Sequence, residues 1–348
     1  MSGNTVFVIG AGASKEVNLR TGLEFKENLA QLLDIRYGDF GDKQEHGDHL
    51  IASALFEHVR QPDGRRGDIN PYLHGAWKIR DALPLAISID HVIDAHRDND
   101  KIALCGKLAI VRSILGDEKN SLLYFEQLAH SKMQSSRLEK TWYTPFFQLL
   151  TENCGLGNIK ERFESITLII FNYDRCVEHF IYNALQNYYG LSGPEAAEIV
   201  KEIKIFHPYG VVGILPWMGQ DGAMEFGSDP HPKQLLELSH KIKTFSEGMD
   251  PESSEILQIR QNMGVANRVV FLGFAFHGLN MPLITPERVE SSSKEQIRCF
   301  ATTHGISSSD EEVIGKQITD LYQRATRVKM ASLTCADFFV EYWRSLSF

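Results

Sequence analysis

The sequence predicts an α/β fold: a largely parallel sheet, with a large helical insertion between its first strand and the rest. Three observations carry this. Short continuous apolar runs recur at residues 5–10 (TVFVIG), 166–171 (ITLIIF) and 267–273 (NRVVFLG), and such runs read as strands buried on both faces. Segments of helical periodicity separate the later runs, as in a parallel sheet with helical crossovers. Residues 40–165, by contrast, carry helical patterns and few strand-like runs.

Taken in order, residues 5–10 form the first strand and end on glycine. Thr21-Gly22-Leu23-Glu24 then has the spacing of a capping box, and Phe25, Leu29 and Leu32 fall on one face of the helix it opens. Inside 40–165, Leu104, Leu108, Val111 and Leu115 set a helix over 102–115. The stretches 77–96 and 142–150 also read as helical, each interrupted or opened by proline. A strand over 166–171 follows, then a helix carrying Val177, Ile181, Ala184 and Tyr188. Lys204–Phe206 reads as a short strand, 267–273 as a fourth and Ile297–Thr302 as a fifth, with a helix over about 310–326 after it. The serine- and charge-rich stretch 286–294 reads as a surface loop. The whole chain, 1–348, is thus expected to be one domain, with a core from 1–39 and 166–348 and the insertion over 40–165.

Composition narrows the function. With 43% hydrophobic residues the chain has ample material for a core. No apolar run reaches the roughly 18 residues that span a bilayer, and Met1–Thr5 lacks the pattern of a secretory signal, so a cytoplasmic protein with no membrane association is expected. Cys105, Cys154, Cys176, Cys299 and Cys335 are dispersed with no C-x-x-C pair. That set reads as reduced thiols and excludes a four-cysteine zinc site of the usual spacing. The formal charge is -9, from 36 basic and 45 acidic residues, which argues against nucleic acid as the main partner. Arg60–Arg66 reads as a solvated loop. His46, His49, His91 and His96 have no accompanying ligand pattern that would support a metal site.

Three short motifs fall at predicted strand ends, where open parallel sheets bind ligands. Gly10-Ala11-Gly12-Ala13-Ser14 follows the first strand. Glycines there allow a tight turn and let the backbone approach a diphosphate, although a lone G-x-G also fits an ordinary strand-to-helix turn. A dehydrogenase fingerprint would need a glycine where Lys15 stands, and an acidic residue ending a second strand about 20 residues on. Asp34 instead lies at the end of a helical stretch, which argues against NAD-dependent oxidoreduction. Asn172-Tyr173-Asp174 follows the second long run. Asn172 precedes the helix and can orient a water or a ribose hydroxyl. Asp174 suits either a ligand contact or a helix cap. His207-Pro208-Tyr209-Gly210 follows the short strand. Proline constrains the residue before it, and an imidazole there can act as a general base.

Together these motifs resemble the sirtuin-like family. Gly10–Ser14 with Leu19-Arg20-Thr21-Gly22 is similar to its G-A-G-x-S and downstream G-L-P-T-G, with Arg20 in the place of proline. Asn172-Tyr173-Asp174 is similar to its N-x-D, and His207-Pro208-Tyr209-Gly210 to an expanded form of its H-G motif. Val270–Phe276 resembles its later strand, whose glycine end, here Gly273-Phe274, meets the adenosine side. Ser88-Ile89-Asp90 looks like a feature of the bacterial anti-phage branch. The deacylases of the family carry four zinc-binding cysteines, which this chain lacks. The resemblance therefore implies a Rossmann-like fold and the zinc-less branch, with NAD as substrate. The expected reaction is cleavage of the nicotinamide–ribose bond to nicotinamide and ADP-ribose in anti-phage defence.

By the same resemblance Asn172, His207 and Asp174 are the catalytic residues. Gly10, Ala11, Gly12, Ser14, Thr21, Gly22, Tyr173, Gly273 and Phe274 hold the NAD. A non-catalytic NAD or ADP-ribose sensor and a zinc-independent deacylase are the competing readings. An NAD hydrolase active all the time would deplete its own cell, so control by homo-oligomerisation or by a separate ATPase or nuclease partner is expected.

Overall fold

The computed structural model describes residues 4–38, 43–126, 131–244, 247, 252–287, 296–322 and 326–348. The first strand, β1, spans Thr5–Ile9. A two-stranded antiparallel ribbon, β2 Arg36–Tyr37 and β3 Gln44–His46, lies apart from the main sheet. The main sheet continues with β4 Ile166–Ile170, β5 Lys204–Phe206, β6 Arg268–Leu272, β7 Ile297–Thr302 and β8 Thr326–Ala331. All pairings within it are parallel, and the order is β5-β4-β1-β6-β7-β8. The chain builds outward from β1 in one direction, then returns to its other side and builds outward again. This is the Rossmann-like order, and ligands in such sheets lie where the winding reverses, beside the carboxyl end of β1.

The apolar runs form strands because both of their faces are covered. Successive side chains of a strand point to opposite faces. Phe7 and Ile9 of β1, Leu168 and Ile170 of β4, and Val270 and Leu272 of β6 enter one core. Val6 and Val8, Ile169, and Val269 and Phe271 enter the other. The first core is closed by aromatic side chains, among them Trp142, Phe146 and Phe339, and the second by Ile256, Ile259, Met263, Ile314 and Ile318. Each large aliphatic side chain so buried contributes about 1.5–3 kcal/mol.

The helices of the first half are α1 Ala11–Ser14, α2 Gly22–Leu33, α3 His49–His58, α4 Asn70–Ala82, α5 Ile89–Ala95, α6 Asp100–Asn120, α7 Tyr143–Thr151 and α8 Ile159–Glu164. After β4 come α9 Cys176–Tyr189, α10 Gly193–Val200 and α11 Pro232–Ser239. The remainder are α12 Ser254–Val265, α13 Met281–Ile284, α14 Ser308–Asp320 and α15 Cys335–Leu346. Residues 40–165 divide between two cores. Helices α3 to α6 pack with Leu29 and Leu33 of α2 and with Leu235 and Leu238 of α11. Trp142, Phe146 and Phe163, further along, cover the sheet itself. No helix among the described residues is long and apolar enough to cross a membrane.

Three expectations change. The sequence predicts five sheet strands, and β8 is a sixth. Its TRVKMA alternates charge with apolar residues because it is a half-exposed edge strand, not a buried one. Helix α14 ends at Asp320 instead of continuing to 326. Thr21 is the N-cap of α2 but its side chain makes no capping bond; Glu24 faces Lys15 at 3.9 Å instead. The predicted surface loop over 286–294 lies outside the described residues from 288 onward.

Candidate functional site at the strand ends

Register brings the site together. Ile9 faces Ile170 on one side and Leu272 on the other, so Gly10, Phe171 and Gly273 leave the sheet side by side. Gly10 N donates to Leu272 O and Gly12 N to Gly273 O, each at 3.0 Å. A Cβ on Gly10 would lie 2.5 Å from Gly273 O, and one on Gly273 would lie 2.1 Å from Ala13 N. Gly273 also has φ +55°, a conformation that glycine adopts without cost. The glycines thus let two backbones meet. The backbone of Ala11 and Gly12 remains exposed above that contact. Fully buried Trp142 fixes the turn from below, its Nε1 donating to Ala13 O at 2.8 Å.

Ser14, the last residue of α1, joins the first motif to the second. Asn172 Nδ2 donates to Ser14 Oγ at 2.9 Å, and Ser14 Oγ donates to Asp174 Oδ2 at 2.9 Å. The other carboxylate oxygen of Asp174 accepts from Cys176 N at 3.1 Å, at the first turn of α9. Asp174 precedes the N-cap Arg175, holds the first amide of α9 and also anchors the Ser14 hydroxyl. Burial pushes its carboxyl up, opposed by the Cys176 amide and Ser14. Only 3% of Asp174 is exposed, and it reaches Asn172 through Ser14.

The third motif is tied in by its imidazole. His207 Nδ1 lies 3.1 Å from Asn172 O, a carbonyl that can only accept, so this nitrogen carries a proton. His207 Nε2 lies 2.6 Å from Glu178 Oε1 on α9. Burial alone would lower the histidine's pKa, but the charge and hydrogen bond of Glu178, with the Asn172 carbonyl, raise it. Both ring nitrogens are thereby engaged. Glu178 is buried and its second oxygen has no partner among the described residues.

Besides Trp142, the 40–165 segment contributes Glu118 and Asp90. Arg175, next to Asp174, pairs with Glu118 at the end of α6, with NH2–Oε2 at 2.5 Å and Nε–Oε1 at 3.0 Å; both side chains are sealed from water. Glu118 Oε2 also accepts from Gly227 N at 3.0 Å, and Arg175 donates to Met224 O. Tyr173 OH lies 3.2 Å from Asp90 Oδ1 on α5 and the same distance from Lys243 O. Burial raises the Asp90 carboxyl to about 6 against the lowering effect of Tyr173.

The structure thus brings Gly10, Gly12, Ser14, Asn172, Asp174, His207 and Gly273 to one edge of the sheet. Tyr173 lies beside them, directed toward α5. Thr21 and Gly22 stand at the start of α2, outside the hydrogen-bonded group, and the Arg20 before them pairs with Asp117. Phe274 is buried in an aromatic cluster with Phe171, Phe271 and Phe276. Glu178, Glu118 and Arg175 escape the sequence reading. Glu118 continues the apolar stripe of Leu104, Leu108, Val111 and Leu115, and Glu178 lies three residues before Ile181 on the buried face of α9. A charged residue on an apolar stripe is the signal that could have found both. Neither protein-family models nor curated proteins give a match to this chain.

Proposed function

We propose that the chain binds NAD across the carboxyl ends of β1, β4 and β6 and hydrolyses its nicotinamide–ribose bond. The observation that supports this most strongly is the single hydrogen-bonded chain Asp174–Ser14–Asn172–His207, which links three separate strand ends at the reversal of a Rossmann-like sheet. The diphosphate would lie along the exposed Ala11–Gly12 backbone. Its ribose would reach toward Asn172, whose carboxamide is held in one orientation by Ser14.

In the reaction the C1′–nitrogen bond breaks and its electron pair leaves with nicotinamide. Water adds to C1′ and gives up one proton. The His207–Glu178 pair is the acceptor for that proton, directly or through a ribose hydroxyl, and it can accept only after losing the proton it shares. General-base catalysis of this kind contributes about 10²–10⁴ in rate. Incubation of the protein with NAD, with nicotinamide followed by chromatography, tests the proposal. Release by the wild type and loss of release in Asn172→Ala with binding intact is the expected result. Intact NAD in the presence of wild type and of any added partner would refute it.

One observation favours a second reading, an NAD or ADP-ribose sensor. His207 has both nitrogens occupied, which suits a structural imidazole as well as a resting base. In a sensor, His207→Ala alters affinity alone. For the hydrolase, the same closed pair fits an enzyme held inactive until assembly or a partner such as an ATPase or nuclease releases it.

A further inference from the structure

Helix α9 has two working faces. Glu178 turns toward His207, whereas the next residue, His179, borders a separate cavity of about 300 Å³ with Tyr182, Asn183 and Gln186. The opposite wall comes from the segment after β5, with Leu215, Pro216, Trp217 and Glu225. None of these residues belongs to the glycine turn or to the Ser14–Asn172–His207 group.

Three features define what the cavity would accept. Tyr182 and Trp217 are stacked, with centroids 4.6 Å apart and planes within 7°, and Phe125 stands nearby as a third ring. A stacked pair presents a flat face that a further planar ring can extend. The polar lining is rich in acceptors. Asn183 spends its Nδ2 on His179 O at 2.7 Å, and Gln186 spends its Nε2 on Tyr182 O at 3.2 Å. Each carboxamide keeps its oxygen as an acceptor and a second N–H as a donor, and Glu225 adds an exposed carboxylate. No lysine or arginine is among the described lining residues, so none of them would neutralise a phosphate. Just beneath the surface, Trp217 Nε1 is buried without a hydrogen-bond partner among the described residues, an arrangement that costs stability unless a ligand or water satisfies it.

We propose that this cavity binds a flat, amino-bearing heteroaromatic ring, of the class of adenine or cytosine as base or nucleoside, stacked on the Tyr182–Trp217 pair with its amine facing Asn183, Gln186 and Glu225. The proposal is independent of NAD cleavage at the strand ends. Its place on α9 would let occupancy act on Glu178 one residue away.

The test uses the full chain labelled with 5-fluorotryptophan, the Trp217 signal being assigned from Trp217→Phe. Adenosine is expected to shift that signal at up to millimolar concentration. Inosine, which has a carbonyl in place of the amine, should bind about tenfold more weakly, as should adenosine to Asn183→Leu or Gln186→Leu. AMP should bind more weakly than adenosine. A Trp217 signal that adenosine leaves unmoved overturns the proposal, as does inosine binding as tightly as adenosine. Binding abolished by Asn172→Ala but not by Gln186→Leu would place the nucleoside at the strand ends and overturn it too.

Discussion

His207 Nε2 and Glu178 Oε1 stand 2.6 Å apart with both side chains almost sealed from water, and the imidazole's other nitrogen is held by the Asn172 carbonyl. The pair carries the raised pKa of His207. A group whose folded pKa is raised stabilises the fold fully at low pH, and that stabilisation is lost as pH rises through the folded value.

Glu178→Gln removes the charge that raises His207, leaving burial to lower it. Imidazole NMR should show the His207 pKa falling below its wild-type value. If His207 is the base, the alkaline rise of nicotinamide release should move to lower pH in the same variant. An unchanged His207 titration would contradict the assignment of Glu178.

Gly273→Ala should cost at least about 3 kcal/mol, because it combines a left-handed backbone with a Cβ placed 2.1 Å from Ala13 N. Gly22→Ala, at φ +54° with nothing within 4 Å of the new Cβ, should cost only about 1 kcal/mol. Urea unfolding of the two variants separates close approach from backbone conformation as the reason for glycine at the site.

These contrasts mark how much the sequence discloses. The strands β1, β4 and β6 are legible because a strand buried on both faces must be continuously apolar. Gly10, Gly12 and Asn172 are legible because they follow such runs closely, and His207 because it follows the short strand β5. Edge strand β8 is half exposed and leaves no such run. Asp174 is ambiguous in sequence because a cap and a ligand contact ask for the same residue type, and in the structure its carboxylate holds the Cys176 amide and Ser14. Their place on apolar stripes marks Glu178 and Glu118 as buried charges, but what they pair with lies 29 and 57 residues away, and no local pattern encodes that pairing.

Glu118→Gln leaves the Arg175 guanidinium buried beside a neutral partner. Breaking one side of a buried ion pair costs about 3–5 kcal/mol. Glu118→Leu combined with Arg175→Met should recover most of that loss, since neither charge then remains unpaired. Equilibrium unfolding of the three proteins checks both statements; a double variant no more stable than the single would show that the pair's other bonds, to Gly227 and Met224, dominate.

Asp90 is raised by burial to about 6, so its charged form burdens the fold above that pH. Asp90→Asn should therefore be more stable than wild type at pH 8, by about 2–3 kcal/mol for a shift of about two units. The difference should shrink as pH falls below about 6 and vanish only well below the ordinary aspartate value of 3.8, where Asp90 is protonated in both states. Thermal unfolding across that range measures it, and a pH-independent difference would contradict the cause given.

The most direct test of the central claim is a proton NMR time course of NAD with the purified protein, alone and with added cell extract. The account predicts nicotinamide and ADP-ribose appearing in equal amounts with wild type. In Asn172→Ala the NAD should persist while its adenine resonances still broaden on binding. NAD that stays intact under every condition with wild type, or that is cleaved equally fast by Asn172→Ala, would contradict it.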